Sequence, residues 1–221
     1  MNTSYRVELH CHSCFSPDSL VRLEDLLSTC RQKGIDRVAI TDHGTMAGAL
    51  LAKELDPEMV ILGEEIETTQ GELLGYFMTE EIPQGLPPQE VVARLRSQGA
   101  FISVAHPFDP NRGSHWQPGQ LEALLPDLDG IEVFNARCVR EAYNEKAHLF
   151  AERNHKAGLA GSDAHSLKEL GKATLILPPF DSAASLRSAL PEARVEGSLS
   201  SSAVHLLSTY AKAAKKITRC R

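Results

Sequence analysis

Hydrophobic and polar positions divide the chain into short apolar runs and longer amphipathic segments. Eight runs have the length and composition of buried strands, namely YRVEL, RVAIT, MVILGEEIETT, ELLGYFM, AFISVAHP, GIEVFNA, GLAGSDA and ATLILP. An amphipathic segment or a loop separates most of them. Because strands that alternate with helices join through crossover connections, the pattern predicts an α/β fold with a mainly parallel sheet.

Two of the amphipathic segments have clear helix ends. SLVRLEDLLSTCRQKG is predicted to begin at a Ser19 cap and to end at Gly34, and PPQEVVARLRSQG to begin at its prolines and end at Gly99. Segment 106–120, HPFDPNRGSHWQPGQ, is rich in Pro, Gly and polar residues and follows a strand. We therefore expect a long loop over the carboxyl edge of the sheet.

The pattern breaks at EGSLSSS, residues 196–202, so we assign 1–197 to one main domain and 198–221 to a basic amphipathic tail. Residues 211–221 contain five Lys or Arg and no acidic residue. A docked terminal helix with a solvated basic face is favoured over contact with a membrane or nucleic acid. Deletion of the tail is then expected to leave turnover of small substrates nearly intact.

Composition supports one main domain, because 42% of the 221 residues are hydrophobic and can form a sizeable core. The formal charge of −6 argues against general nucleic-acid binding, so no stable nucleic-acid complex is expected. The N-terminus MNTSYRVELH lacks an apolar leader, and no run is long enough for a membrane span. We expect a cytoplasmic protein, and no oligomeric state is predicted.

Histidine and acidic residues lie at the ends of, or within, five of the predicted strands: His10, His12, Asp42, His43, Glu64, Glu65, His106, Asp163 and His165. Because the carboxyl ends of parallel strands meet at one edge, we expect these side chains to converge. Imidazole and carboxylate groups together suit Zn, Mn or Fe(II), and a carboxylate can bridge the two ions of a two-metal hydrolase. The pattern therefore predicts metal-dependent hydrolysis.

Four stretches resemble motifs of the PHP (polymerase and histidinol phosphatase) family of metal-dependent phosphoesterases. LHCHSCFSPDS resembles the H-x-H opening with its downstream acid, GIDRVAITDHGTM the T-D-H motif, FISVAHPF the third motif and GLAGSDAHS the closing D-x-H. They occur in the family's order within residues 5–197, and GEEIETTQGELLGYF places the G-x-E glutamate at Glu65. The resemblance implies a distorted (β/α)7 TIM-like barrel with its metal site at the C-terminal strand ends.

The resemblance also implies two or three divalent ions, usually Mn, Zn or Fe, and eight ligands. The implied ligands are His10, His12, Asp18, His43, Glu65, His106, Asp163 and His165. In that assignment His10, His12, Glu65 and Asp163 hold one ion, and Glu65 bridges to a second ion that His106 also binds. The third site takes Asp18, His43 and His165.

Two positions depart from the family pattern. Where many members have H-L-L-G-Y, this chain has Glu72 in ELLGYF, so a carboxylate replaces an imidazole. Several relatives carry a ligand histidine near the end of the strand GIEVFNARC, where this chain offers Asn135 and, as a weaker candidate, Cys138. Both three ions and two ions are compatible with these substitutions.

Asp163, His106 and Arg137 are the predicted catalytic residues. A hydroxide bridging two ions would attack a bound phosphorus in line. Arg137 follows a strand end, where it would either bind non-bridging phosphate oxygens or form a surface salt bridge. Arg112 and Lys146 are further candidates for phosphate binding.

Several neighbouring residues receive weaker assignments. His115 and Trp116 lie in the long loop, where packing of the loop is favoured over contact with a ligand. Asp42 is expected to orient an imidazole or to lie behind the ligands. Glu64 and Cys11 alternate with predicted ligands along their strands, so both are expected to face away.

The leading hypothesis is a phosphoesterase that hydrolyses the phosphate monoester of a small metabolite or nucleotide, for which a nucleoside 3′,5′-bisphosphate is one candidate. An exonuclease-type phosphodiesterase is the second hypothesis, although the chain has no extended basic groove beside the domain. A binding module with structural metals, in which the tail recruits a partner, is the third.

Overall fold

A computed structural model describes residues 4–117 and 119–215 of the chain. The strands are β1 (Tyr5–Cys11), β2 (Arg37–Ile40), β3 (Val60–Glu67), β4 (Glu72–Tyr76), β5 (Phe101–Val104), β6 (Gly130–Asn135), β7 (Ala157–Gly161), β8 (Ala173–Leu177) and β9 (Arg194–Gly197). The helices are α1 (Leu23–Gln32), α2 (Ala47–Leu55), α3 (Pro88–Ser97), α4 (Gln120–Leu124), α5 (Glu141–Arg153), α6 (Ala183–Ala189) and α7 (Val204–Lys215).

The strands form one nine-stranded sheet in the order β7-β6-β5-β4-β3-β2-β1-β8-β9. The chain after β7 returns to β1, where Ala164 bridges Cys11 and its carbonyl oxygen accepts a hydrogen bond of 2.8 Å from the His12 amide. The sheet is therefore a nearly closed barrel in a mixed α/β fold. This confirms the predicted TIM-like α/β architecture.

The strand directions differ in part from the expected, mainly parallel sheet. Seven strands, β1, β2, β3, β5, β6, β7 and β9, run in one direction. In contrast, β4 is antiparallel to both of its neighbours, and β8 is antiparallel to β1 and β9. Only residues 68–71 connect β3 to β4. A connection this short permits a hairpin but not the crossover that parallel strands require.

The helix ends agree with the sequence at α3 and differ at α1. Helix α3 begins at Pro88 and ends before Gly99, whose φ of 71° suits glycine. Helix α1 begins only at Leu23. The Ser19 hydroxyl, expected to cap it, instead donates a 3.0 Å hydrogen bond to the carbonyl oxygen of His12. Ser19 therefore stabilises the loop that follows β1.

The tail contains a helix, α7, that contacts the barrel. Ser208 and Ala211 are its buried residues. Lys216, Arg219 and Arg221, which belong to the predicted basic tail, lie outside the described residues. Across residues 4–117 and 119–215, none of the helices combines the length and apolar character that crossing a membrane requires.

Candidate metal centre

The eight residues proposed as ligands from the sequence converge at one rim of the barrel. His10 and Glu65 lie on β1 and β3, while the others lie in the segments that follow β1, β2, β5 and β7. Four groups place their candidate ligand atoms within 4.8 Å of one another: His12, Asp18, His43 and His165; His10, His12 and Asp163; His10, Glu65 and His106; and His43, Glu65 and Glu72. The strand ends thus bring together residues that are far apart in sequence.

A register shift in β1 helps to turn its histidines toward the centre. The pairing of β1 with β2 is irregular between Glu8 and Cys11. An irregularity of this kind changes the alternation of side chains along a strand. Val7 and Leu9 pack in the apolar core of the barrel, whereas Cys11 packs among residues of α1 and α2, away from the centre. The expectation that Cys11 faces away is confirmed.

Glu65 occupies the middle of the cluster. Its Oε2 lies 3.2 Å from His10 Nε2, 3.3 Å from His12 Nε2 and 3.2 Å from His43 Nδ1. Its Oε1 lies 3.1 Å from His106 Nε2. A carboxylate with an imidazole nitrogen on each oxygen has the position that a bridging ligand requires.

The two aspartates occupy the flanks of the cluster. Asp163 Oδ1 lies 3.3 Å from His12 Nε2 and 3.4 Å from His165 Nδ1. Asp18 Oδ2 lies 3.2 Å from His165 Nε2 and 3.5 Å from His43 Nε2. The grouping matches the predicted third site, with His12 as an additional member.

The donor atoms fit a divalent cation better than they fit one another. His10 Nε2, both ring nitrogens of His12 and Glu65 Oε2 are buried and make no hydrogen bond with the described residues. Buried polar atoms in this state are costly unless another partner satisfies them. Because imidazole nitrogens and carboxylate oxygens are ligands for Zn, Mn and Fe, these residues fit a metal centre.

Ring orientation leads to the same conclusion. His10 Nδ1 donates a 2.9 Å hydrogen bond to Glu132 Oε1, and His165 Nδ1 donates a 2.8 Å hydrogen bond to the carbonyl oxygen of Asp163. The neutral form of each ring then directs an Nε2 lone pair toward a carboxylate, Glu65 or Asp18. Lone pairs that face carboxylates repel them unless a proton or a metal cation lies between.

The centre as a whole attracts positive charge. Burial would raise the pKa of the Glu65 carboxyl, but the imidazoles of His10 and His43 hold that pKa well below its ordinary value. Arg112 and His10 likewise hold the pKa of Asp163 well below its ordinary value despite burial. Burial opposes the ionisation of His43, yet Glu65 is the strongest of the groups that raise its pKa to about 10. The ionised carboxylates therefore produce a negative electrostatic potential in the cluster. That potential favours bound protons, and it favours metal cations for the same reason.

His165 and Glu72 differ from the rest of the cluster. Burial and the neighbouring His12 lower the pKa of His165 to about 3, which leaves the ring neutral and able to bind a metal. Burial and the charge of Glu65 raise the pKa of Glu72. Glu72 Oε2 lies 3.6 Å from His106 Nε2. The carboxylate that stands where many family members have a histidine therefore belongs to the cluster.

Strained and close-packed backbone accompanies the centre. His106 and Asp163 have φ angles of 25° and 52°, in the region that residues with side chains rarely adopt. Gly161, at the end of β7, has no room for a Cβ atom, because one would collide with His10 Cβ and Glu132 Oε1. The close approach of β7 to β1 therefore requires glycine here.

Glu132 is a positioning residue that the sequence did not identify. Its Oε1 accepts the hydrogen bond from His10 Nδ1, while Oε2 accepts hydrogen bonds of 2.7 Å from the His106 amide and 3.0 Å from Asn135 Nδ2. Carboxylates of this kind fix the tautomer and orientation of metal-binding histidines. An acidic residue in the apolar strand GIEVFN was the available signal.

Two more carboxylates hold the segments around the centre. Glu8 accepts hydrogen bonds from the amides of Ser162, His10 and Gly171, and burial raises its pKa to about 7. Asp42, expected to orient an imidazole or to lie behind the ligands, accepts two hydrogen bonds of 2.6 Å from the amide and hydroxyl of Ser13. Both carboxylates therefore position the backbone beside the ligands.

Arg112 and Arg137 lie beside the centre and line a cavity of about 600 Å³. Arg112 Nη2 lies 2.7 Å from Asp163 Oδ2. Arg137 is buried, and its Nη2 donates a 2.7 Å hydrogen bond to Ser208 Oγ while Nε lies 3.4 Å from Glu169 Oε1. The Arg137 ion pair is thus buried rather than superficial.

Asn135 and the other predicted neighbours take different positions. The Asn135 side-chain amide donates hydrogen bonds to Glu132 and Asp163 and accepts one from Arg112. Lys146 is not at the cavity, because its ammonium lies 4.5 Å above the Phe108 ring, where a cation–π contact holds it. Trp116 is buried in an apolar cluster, as expected for loop packing.

Helix α7 also lines the cavity, through four polar residues: His205, Ser208, Thr209 and Lys212. Their spacing of three or four places them on one face of the helix. That polar stripe was visible in VHLLSTYAKAAK. The sequence had favoured a docked terminal helix with a solvated basic face. The docked helix agrees with that expectation, whereas its place at the cavity was not predicted.

Two protein-family models match the chain, and both belong to the PHP family. The PHP domain model matches residues 8–96, and a PHP-associated model matches residues 141–195. The uncharacterized proteins MJ1587 and MJ0417 of Methanocaldococcus jannaschii are similar to this chain. MJ1587 is 37% identical over 144 residues, covering 59% of this chain and 82% of that protein, and MJ0417 is 39% identical over 171 residues, covering 76% and 68%.

The fold has solved counterparts as well. A crystal structure of a candidate metal-dependent phosphoesterase from Bifidobacterium adolescentis superposes with a TM-score of 0.61 at 22% identity, covering 72% of this chain and 87% of that one. The rim of histidines and carboxylates, the barrel and the matched relatives lead to one conclusion. This chain belongs to the PHP-domain family of metal-dependent phosphoesterases.

Proposed function

We propose that this protein hydrolyses the phosphate monoester of a small metabolite or nucleotide, using two or three divalent metal ions. The observation that carries the proposal is a buried set of imidazole and carboxylate donors at the base of a cavity that also presents arginines. A cavity of about 600 Å³ has the size of a small-molecule site. Divalent ions at such a centre activate water and offset charge on phosphoryl oxygens.

The protein's own residues supply binding and orientation. Arg112 contacts the cluster through its ion pair with Asp163. Its planar guanidinium can bind two oxygens of a phosphate beside the cluster. Arg137 lines the same cavity, but only 3% of its side chain is exposed, against 18% for Arg112. We therefore assign direct phosphate binding to Arg112 and a supporting role to Arg137. Glu132 holds His10 in the orientation that the centre needs.

The first test measures release of inorganic phosphate from a panel of small phosphomonoesters. Protein purified without chelator is supplied separately with Mn, Zn or Fe(II), and its metal content is measured per chain. Phosphate release that depends on the ion is the expected result. Shortening of single-stranded DNA without release from small esters would favour the exonuclease alternative, and absence of metal under every condition would overturn the proposal.

His12→Ala tests the ligand assignment. Both ring nitrogens of His12 are buried and make no hydrogen bond within residues 4–117 and 119–215, so its loss should remove an ion and lower turnover by about 100-fold or more. His148→Ala is the matched control, because His148 is an exposed histidine of α5 outside the cluster. Full metal content together with normal turnover in His12→Ala would contradict the assignment.

A further inference from the structure

Helix α7 is bound to the segments that carry the candidate ligands. Ser208 Oγ accepts the hydrogen bond from Arg137 Nη2, and the Lys215 ammonium donates to the carbonyl oxygens of Cys14 and Ser16. Cys14 and Ser16 lie in the loop between His12 and Asp18. The helix is therefore attached at its middle and its end to the rim of the cavity.

Lys212 is the residue of α7 that presents a cation at the mouth of this cavity. Its ammonium lies 3.4 Å from Asp18 Oδ2, yet its side chain is 60% exposed. Arg112 and Arg137, by contrast, lie deeper and are paired with Asp163 and Glu169. Lys212 can therefore change partners at a lower cost than either arginine, because solvent screens its ion pair.

The chemistry of a lysine suits this position. Its four-carbon stem has several rotatable bonds, and its ammonium binds anions as a point charge without a fixed geometry. Thr209, one turn before Lys212, lines the same side of the cavity and offers a hydroxyl. His205 lines it further along the stripe. An anion at the mouth would find a cation and hydrogen-bonding groups on one helix face.

We propose that α7 forms a wall of the substrate cavity and that Lys212 binds a second anionic group of the substrate, distinct from the phosphate that is hydrolysed. The proposal rests on the proposed phosphomonoesterase function. Arg112 pairs with Asp163 and Lys212 pairs with Asp18, the aspartates on the two flanks of the cluster, and Lys212 is the more exposed of the two cations. A substrate that spans the two cations therefore carries negative charge at both ends.

The test compares phenyl phosphate with the ortho, meta and para isomers of carboxyphenyl phosphate, which add one carboxylate in three directions. The wild-type protein should have a lower KM for at least one carboxylated ester than for phenyl phosphate. Lys212→Ala should raise that KM about fivefold to tenfold, leave kcat within about twofold, and leave the KM of phenyl phosphate unchanged. Lys212→Arg keeps the charge and should retain most of the preference.

Two controls separate this role from others. Lys172→Ala removes an exposed lysine that does not line the cavity and should change no kinetic constant. Metal content per chain should be equal in the wild-type protein and in Lys212→Ala, which excludes an effect through Asp18. A lower metal content in Lys212→Ala would instead assign Lys212 to the metal centre and overturn the proposal.

The remaining outcomes distinguish the two proposals. If the wild-type protein hydrolyses none of the four esters with any ion, the phosphomonoesterase function fails. If it hydrolyses them but Lys212→Ala has the wild-type KM for every ester, the function stands and the role of Lys212 is overturned. An equal rise in KM for all four esters would place Lys212 on the hydrolysed phosphate and would also overturn the second-anion assignment.

Discussion

Glu132 shows how one residue outside the cavity determines the geometry of the residues within it. One carboxylate oxygen accepts from the His10 ring, and the other accepts from the His106 amide and the Asn135 side chain. Two of these bonds connect β6 to β1 and to the segment after β5, and the third lies within β6. The orientation of two candidate ligands therefore depends on a carboxylate with two accepting oxygens.

Glu132→Gln should weaken the metal centre without unfolding the protein. Glutamine has nearly the same shape as glutamate, but one of the two accepting oxygens becomes an NH2 group. That NH2 group would face another hydrogen-bond donor, so at least one hydrogen bond is lost. We expect metal affinity or turnover to fall about 10-fold to 100-fold, measured by metal titration and phosphate release. Glu145→Gln, on an exposed position of α5, should change neither. Unchanged metal affinity in a folded Glu132→Gln variant would contradict the positioning role.

At the scale of elements, the sequence predicted which segments meet but not how all of them run. His10, His43, Glu65, His106 and Asp163 could be brought together because each lies on or just beyond a strand of shared direction. Their role as ligands stays a prediction. The reversal at β4 was not predicted. The residues of a short strand do not encode its direction, and the available signal was the short connection between β3 and β4, which indicates a hairpin.

The elements that were missed lack the patterns on which prediction depends. Strand β9 is exposed along its whole length, so it has no alternation of buried and exposed positions. The contribution of α7 to the cavity depends on where the helix docks, and docking is a property of the tertiary structure. Glu132 and Lys212 were missed for the same reason, since each gains its role from a partner distant in sequence.

Helix α6 is attached to the barrel by an arginine that provides a test independent of the metal centre. Arg187 Nε and Nη2 each lie 2.8 Å from an oxygen of Asp129, and Nη2 also donates a 2.6 Å hydrogen bond to the carbonyl oxygen of Ala100. The guanidinium lies 5.6 Å from the centroid of the Phe101 ring. One side chain thus joins α6 to β5 and to the residue before β6.

Arg187→Ala should lower the free energy of unfolding by about 1 kcal/mol, because the side chain is 35% exposed and solvent screens part of its ion pair. Urea unfolding followed by circular dichroism measures the change. Arg187→Lys retains the charge but not the two-pronged geometry of the guanidinium. Its free energy of unfolding should therefore lie between those of the wild-type protein and Arg187→Ala. Turnover of folded protein should be unchanged, and an unchanged unfolding midpoint in Arg187→Ala would show that the contact contributes nothing.

At the scale of the whole molecule, the fold concentrates carboxylates at one rim of the barrel. Asp18, Glu65, Glu72 and Asp163 all belong to the candidate groups there. In the unfolded chain these residues are far apart, so their mutual repulsion arises on folding. A cation that binds only the folded arrangement offsets this repulsion and therefore stabilises the native state.

Removal of metal should consequently lower the melting temperature of the protein. An ion present at about 100 times its dissociation constant contributes about 2–3 kcal/mol, which corresponds to about 5–10 °C for a chain of this size. Scanning calorimetry before chelation, after chelation and after re-addition of Mn, Zn or Fe(II) measures the shift and its reversal. His12→Ala should show a much smaller shift, because it lacks a ligand shared by two of the candidate groups. Equal melting temperatures for metal-loaded and metal-free wild-type protein would mean that the centre does not couple metal binding to folding, whatever its role in catalysis.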